Sequence, residues 1–330
     1  MQFSKTKKNY YNSRYNLINK KTIKSKSKPK LQLGCHSSIA NGILDSIKYV
    51  ESIGGNALQI FMGNNRSASL KSKHKFKDQD EINKIKDYIK NNNNVLIIHS
   101  IYLLNFASSP YGNKNRYMHD NIQYDLKYGK MIGAKCVVLH LGFAKDLERK
   151  VAISNLIGNV NHIIKHMPKG IMLSLETSAC KSSELGCTLE ELKQIWDSIK
   201  HNNKHIKRVG FCIDTAHVFV SGYDISKVSG ISEYLKNFDS IIGFENITNF
   251  HINDSRYELG AKKDEHRGIG AGLIYNTDEG LNALKYIKQI CMKHKIPMVL
   301  ETHGASSIDS EGSHKGEKGY EYEINLIRNL

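Results

Sequence analysis

The chain has 330 residues, 40% of them hydrophobic and only 4 of them proline, so it can bury a large core as one α/β barrel or two smaller domains. No run approaches the ~18 apolar residues of a membrane span, and residues 1–30 lack the apolar centre of a signal peptide. A formal net charge of +16 suits a polyanionic partner, nucleic acid or an anionic membrane surface. Ten of those charges (Lys5, Lys7, Lys8, Arg14, Lys20, Lys21, Lys24, Lys26, Lys28, Lys30) stand in residues 1–30 without any Asp or Glu, and the other six belong to residues 31–330. Residues 1–30 therefore read as a basic extension, compatible with an organelle leader though poor in Arg, and 31–330 as the folded domain. A coding bias toward Lys, Asn and Ile, as in Asn91 to Asn94, accounts for part of the same excess without a partner.

Short β-branched runs alternate with segments of helical period, the pattern of βα units around a parallel sheet. In chain order the strands are predicted at Leu31 to Cys35, Ala57 to Phe61, Val95 to Ile98, Cys136 to Leu139, Ile171 to Leu175, Val209 to Ile213, Phe244 to Ile252 and Met298 to Leu300. The helices are predicted at Ile43 to Ile53, Asp80 to Lys90, Asn121 to Ile132, Lys150 to His166, Thr188 to Lys200, Val228 to Phe238 and Gly280 to His294. Gly54-Gly55 and Gly133 suit C-caps, Thr188 with Glu191 has capping-box spacing, and Asp80 and Asp278 are N-cap candidates. Eight such units match a (β/α)8 TIM barrel of about 250 residues. An open doubly wound sheet is the alternative, but no GxGxxG follows the first strand. The six cysteines show no CxxC spacing; Cys35, Cys136 and Cys212 lie in apolar runs, which points to buried, reduced thiols and a reducing, intracellular compartment. Nucleus, cytoplasm and viral particle are not distinguished by this.

Polar residues gather at the carboxyl ends of the runs, where a TIM barrel builds its active site. His36, His99, His140, Glu176 and Asp214 follow the first, third, fourth, fifth and sixth strands, His251 stands in the seventh, and Glu301 closes the eighth. Carboxylates converging there without cations would suffer desolvation and mutual repulsion, which metal ions relieve. His and carboxylate donors without thiolate suit Zn²⁺ or Mn²⁺. With His36 left aside, Asp214 and His217, three apart, and Asp264 and His266, two apart, bring the set to nine, about enough for three ions.

Seven stretches then carry a close resemblance: HSIYLLNFAS at 99–108, VVLHLG at 137–142, LSLET at 173–177, GFCIDTAHVFVSGYD at 210–224, FHINDSR at 250–256, KKDEHRGIGAG at 262–272 and IPMVLET at 296–302. In order and spacing they resemble endonuclease IV, the zinc-dependent apurinic/apyrimidinic endonuclease family, over most of 31–302. The resemblance implies a trinuclear zinc site, with Mn²⁺ as an alternative at one position. Glu176 would bridge two ions, His99 and His140 completing one and Asp214, His251 and Glu301 the other; His217, Asp264 and His266 would hold the third. It also implies hydrolysis of the phosphodiester 5′ to an abasic site in double-stranded DNA, leaving 3′-hydroxyl and 5′-deoxyribose phosphate. Trimming of blocked 3′ ends and action as a monomer are further implications. Glu176, Glu301 and Asp214 would be the catalytic carboxylates, the latter two orienting the attacking water. Arg66, in FMGNNR, takes the place of an intercalating arginine and Tyr102 that of an aromatic beside the lesion. Asn253, Ser255 and Arg256 either contact phosphate or support His251, and Arg267 is a further DNA contact. Family members usually carry Arg where Glu265 stands, a reversal of charge near the DNA that Arg267 could offset. Two rivals are a TIM-barrel sugar isomerase and a DNA-binding relative without catalysis.

Overall fold

Runs such as VLIIH at Val95–His99 and VGFCID at Val209–Asp214 are β-branched or aromatic and apolar on both faces, as a strand with helices outside it and a packed barrel interior requires. The computed structural model describes residues 30–110, 115–202, 205–302 and 318–330. Leu31–Leu330 forms the compact unit described below; the basic extension lies, Lys30 apart, outside the described residues.

Eight parallel strands close into a barrel: β1 (Leu33–His36), β2 (Ala57–Phe61), β3 (Val95–His99), β4 (Cys136–Leu139), β5 (Met172–Glu176), β6 (Val209–Asp214), β7 (Ile247–His251) and β10 (Met298–Leu300), with β10 pairing both β7 and β1. Two short antiparallel strands, β8 (Asp254–Ser255) and β9 (His266–Arg267), form a hairpin outside the barrel order. Ala57, Ile97, Cys136, Val138, Cys212 and Val299 pack together as a small cluster, while a larger apolar core contains the buried helix faces. Gly34 is required by close approach: a Cβ there would lie 1.7 Å from the Ala57 carbonyl oxygen of the neighbouring strand.

The outer helices are α1 (Ile43–Ser52), α2 (Gln79–Asn92), α3 (Arg116–Ile132), α4 (Arg149–His166), α5 (Leu189–Asn202), α6 (Thr215–Val220), α7 (Val228–Ile241), α8 (Asp278–His294) and α9 (Tyr320–Asn329). Gly133 caps α3 in the left-handed region at φ 85°, as its position after the apolar run predicts. Both expected aspartate N-caps shift toward the N-terminus. Asp78, not Asp80, accepts the Glu81 N–H at 2.9 Å, and Thr277, not Asp278, accepts the Gly280 N–H at 3.1 Å. Thr188 accepts the Glu191 N–H at 3.2 Å, but the Glu191 carboxylate turns to the Gly186 N–H at 2.5 Å and to Arg149, so the capping box is not reciprocal. The predicted strand Phe244 to Ile252 opens with a 3₁₀ turn, Phe244–Asn246, before β7. Among the described residues no helix is long and apolar enough to cross a membrane.

Candidate metal centre

The barrel strand ends, α6 and the β8–β9 hairpin bring all nine candidate ligands together. At the end of β5, Glu176 directs one carboxylate oxygen to His99 Nε2 at 3.1 Å and His140 Nε2 at 3.2 Å, and the other to His251 Nδ1 at 2.8 Å. Glu301 stands 3.0 Å and Asp214 3.7 Å from the same His251 nitrogen. Beside them Asp264 lies 3.3 Å from Nε2 of both His217 and His266, with Asp214 3.7 Å from His266. Three groups of donor atoms, each within 4.8 Å of one another, therefore overlap: His99, His140 and Glu176; Glu176, Asp214, His251 and Glu301; Asp214, His217 and His266. Glu176 and Asp214 are the residues shared between groups. Asp214 and His217 converge because the chain turns directly into α6. Asp214 caps that helix by accepting the His217 N–H at 3.0 Å, and one turn brings the His217 ring to the same side.

A second layer fixes which ring nitrogen faces inward. His99 Nδ1 donates to the Ser100 carbonyl at 2.7 Å and His217 Nδ1 to the Thr177 carbonyl at 2.8 Å, leaving each Nε2 as the ligand atom. His251 is held the other way: its Nε2 donates to Gln59 Oε1 at 2.8 Å, and Nδ1 faces the carboxylates. Gln59 also donates to Glu301 at 2.5 Å and meets His36 Nδ1 at 3.2 Å. Thus His36 touches the support of the cluster rather than the cluster, and burial holds it down at about 4, neutral, with Glu301 only partly opposing.

The charges fit cations. Burial would lift the Glu176 carboxyl, but His251 and His140 outweigh it and hold the group well below the usual range. Burial likewise opposes charge on His266, yet Asp214 and Asp264 push it up to about 9. The buried Nε2 of His266 finds no well-aligned hydrogen-bond partner among the described residues. Nitrogen bases and carboxylates aimed at one another in this way form a donor set for zinc-like ions. Cys212 lies near Glu176 and His251 but belongs to the barrel interior. Asn249 donates to its sulfur at 3.0 Å, and burial pushes the thiol far up, so it stays protonated.

A cavity of about 260 Å³ opens over the cluster, lined by Tyr102, His140, Glu176, His217, Asp264, Glu265, His266 and Glu301. A larger one of about 580 Å³ lies along the loops after β1 and β2, between His36, Phe61, Asn64 and His74. Tyr102, 53% exposed, sets its ring 5.5 Å from His99 and 5.4 Å from His140. Arg66 lies on the loop after β2, its N–H bound to Asn64 Oδ1 at 2.9 Å. Two expected DNA contacts are corrected. Asn253 is fully buried, donates to Asp214 at 2.7 Å and accepts the Glu301 N–H at 2.9 Å; it holds two ligands and offers nothing to DNA. Ser255, 1% exposed, spends its hydroxyl on the Tyr257 backbone. Arg256 is exposed and pairs with Glu265 at 2.5 Å across the β8–β9 hairpin, and Arg267 also favours the charged form of Glu265.

Gln59, Thr177 and Asp254 escape the sequence reading. Asp254 accepts the N–H groups of Ser255, Gly270, Gly272, Ile274 and Tyr275 at 2.7–3.3 Å and so fixes the loop that follows His266. Its place in HINDSR was the one available signal.

The family profile described as a xylose isomerase-like TIM barrel matches residues 47–330. A protein of Halothermothrix orenii named "Probable endonuclease 4" is 34% identical over 282 residues, which cover 85% of this chain and 96% of that protein. The chain belongs to the endonuclease IV family. Endonuclease IV of Thermus thermophilus superposes with a TM-score of 0.70 at 19% identity, covering 90% of this chain and 98% of that one. A D-tagatose 3-epimerase-like protein also superposes, with a TM-score of 0.60 at 19% identity over 82% and 91% of the two chains, which marks a shared barrel and no more.

Proposed function

We propose that this chain is an apurinic/apyrimidinic endonuclease of base excision repair that hydrolyses the DNA phosphodiester 5′ to an abasic site, with 3′-phosphatase and 3′-phosphodiesterase side activity. The observation that carries this reading is the convergence at the mouth of the barrel of eight His, Asp and Glu side chains in three overlapping donor groups, with Asp264 as a ninth 3.3 Å from His217 and His266. His99, His140 and Glu176 would hold one ion; Glu176, Asp214, His251 and Glu301 a second; His217, Asp264 and His266 a third. The donors suit zinc at each, with Mn²⁺ an alternative at one. When bound, such ions neutralise phosphate charge and make water acidic enough to attack at neutral pH.

The chain's own groups do the rest. Glu301, whose side chain is 11% exposed at the edge of the cavity, and Asp214 orient the attacking water as proton acceptors. Water oxygen adds to phosphorus, the P–O3′ bond breaks, and the 3′-oxygen leaves as hydroxyl with a proton from solvent. No side chain is required as a covalent nucleophile. Tyr102 packs beside the abasic sugar, while Arg66 enters the gap left by the missing base, its position on a loop at the barrel mouth giving it reach. Arg267 adds a backbone contact. The protein acts as a monomer on double-stranded DNA.

The test is a duplex oligonucleotide carrying one abasic-site analogue, cut by wild type and by Glu176→Gln, with both ends mapped. Incision immediately 5′ to the analogue by wild type alone is the expected result. A folded, zinc-loaded wild type that leaves the duplex intact would overturn the reading.

A further inference from the structure

The loop after β2, which carries Arg66, is closed on itself and fastened to α3. Its two stems meet where Gly63 and Lys73 pair as an isolated antiparallel bridge. Backbone bonds flank that bridge, from the Asn64 N–H to the Ser72 carbonyl at 3.3 Å and from the His74 N–H to the Met62 carbonyl at 2.8 Å. One face of α3 then holds the loop at three points. Asn121 donates to the Ala68 carbonyl at 2.7 Å, two residues past Arg66. The Tyr124 hydroxyl donates to the His74 carbonyl at the stem. The Lys73 ammonium donates to both carboxylate oxygens of Asp125, at 2.7 and 2.9 Å. Tyr124 and Asp125 stand three and four residues after Asn121, the spacing that puts side chains on a shared helix face.

The Lys73 and Asp125 side chains are only 1% and 0% exposed, and nothing in the proposed phosphodiesterase chemistry uses them. Such a pair is a weak source of stability. Burial, which Lys73 only partly offsets, pushes the Asp125 carboxyl up to about 6. Apolar residues of similar volume often replace a buried ion pair with no loss of stability. What they do not supply is direction. Two charge-assisted bonds to one ammonium fix Lys73 against α3, whereas an apolar contact can slide. Arg66 is exposed and stands seven residues before Lys73 within the same closed loop, so a shift at the stem is carried to it.

We propose that Lys73 and Asp125, with Asn121, are positioning residues that fix where Arg66 stands at the barrel mouth before DNA arrives. The inference rests on the recognition role proposed above for Arg66. A loop ordered in advance has less freedom to lose on binding, and a displacement of about 1 Å can lower the rate by as much as about 100-fold.

The test is a cycle with Arg66→Ala in the zinc-loaded full chain. One arm is Lys73→Met/Asp125→Leu, which removes both charges together so that neither is left buried alone. The second is Asn121→Leu, which keeps the ion pair. Each is made with Arg66 present and with Arg66→Ala, and kcat/KM is measured on an abasic duplex. With Arg66 present, the pair replacement should lower kcat/KM by about tenfold or more and Asn121→Leu by a smaller factor. After Arg66→Ala, the same substitutions should change it by less than about twofold, because the residue they position is gone. Zinc content should match wild type, and the pair variant should melt at or above the wild-type temperature. Equal losses in the two backgrounds overturn the proposal, as does a loss that follows zinc content or melting temperature. Wild-type activity in both substituted chains overturns it as well. Arg66→Ala alone reports on the underlying reading: if it incises as wild type does, the recognition role of Arg66 falls, and this inference falls with it.

Discussion

The Nε2–H of His251 donates to Gln59 Oε1 at 2.8 Å, and this bond decides which nitrogen of His251 meets Glu176, Asp214 and Glu301. The same amide donates to Glu301 at 2.5 Å, so one fully buried side chain aligns two ligands from β7 and the end of β10. Gln59→Ala frees the His251 ring and leaves Glu301 without that donor. Loss of such an outer partner weakens metal affinity by about 10–100-fold. Zinc competition with a chromophoric chelator should show a drop in that range with the far-UV spectrum unchanged. Wild-type affinity in the variant would show that Gln59 is only filling space.

Asp254 supports the site by another route. Its carboxylate, 0% exposed, accepts five backbone N–H groups around residues 255–275. Asp254→Ala should cost roughly 3–4 kcal/mol in urea unfolding, since several buried donors lose a charged partner at once. Asp254→Asn presents an N–H where an acceptor is needed and should recover only part of it. An Asn variant that unfolds at the wild-type midpoint would rule out the charge as the organiser of the loop.

Arg256 and Glu265 set the charge of the β8–β9 hairpin. The pair lies at the surface, joined at 2.5 Å, with the Tyr257 hydroxyl 3.3 Å from Glu265. Glu265→Gln releases the Arg256 guanidinium for a phosphate. Measured on an abasic duplex with the cleavage-blocked Glu176→Gln background, binding should tighten at low salt. Its logarithm should also fall more steeply with log salt, by about one unit of slope. An unchanged slope would mean that Arg256 never reaches the DNA backbone.

How much of this could be read in advance follows from the forces involved. Strand ends were legible because six candidate ligands terminate apolar runs, as His99 does after VLII and His140 after CVVL, and the (β/α)8 closure places all such ends on one face. Gln59 was not legible, since a single polar residue inside ALQIF reads as ordinary strand alternation until the barrel sets it against His251. The short helix Thr215–Val220 hid because all six of its residues are buried, so the segment has no polar face and no period to display. Asn253 and Arg256, three apart in HINDSR, looked equivalent; only the hairpin turn separates the buried support from the exposed arginine.

The role proposed for Tyr102 is damage reading, distinct from metal binding. Its ring rests beside His99 and His140 and 5.3 Å from Phe61, yet more than half of the residue is open to solvent. Tyr102→Ala should therefore keep its full zinc content while kcat/KM on an abasic duplex falls by about tenfold, on the order of one lost stacking contact of 1–3 kcal/mol. Loss of zinc in step with activity would reassign the residue to supporting the cluster.

Protons compete with metal at the ligands themselves. Burial disfavours charge on His266, but Asp214 and then Asp264 prevail and raise it to about 9 from an ordinary 6.5. In metal-free protein the folded state thus holds this proton more tightly than the unfolded chain does. The resulting stability is fully present below pH 6.5 and fades as pH rises through about 9. Unfolding of metal-free wild type against His266→Gln should show a gap of roughly 1–3 kcal/mol at pH 6 that closes by about pH 10. Zinc must displace the same proton, so affinity for the ion held by His217, Asp264 and His266 should climb over that interval and level off above about 9. A gap that widens with pH, or an affinity flat from about pH 6 to 9, would mean that His266 is already neutral and that another group sets the proton competition.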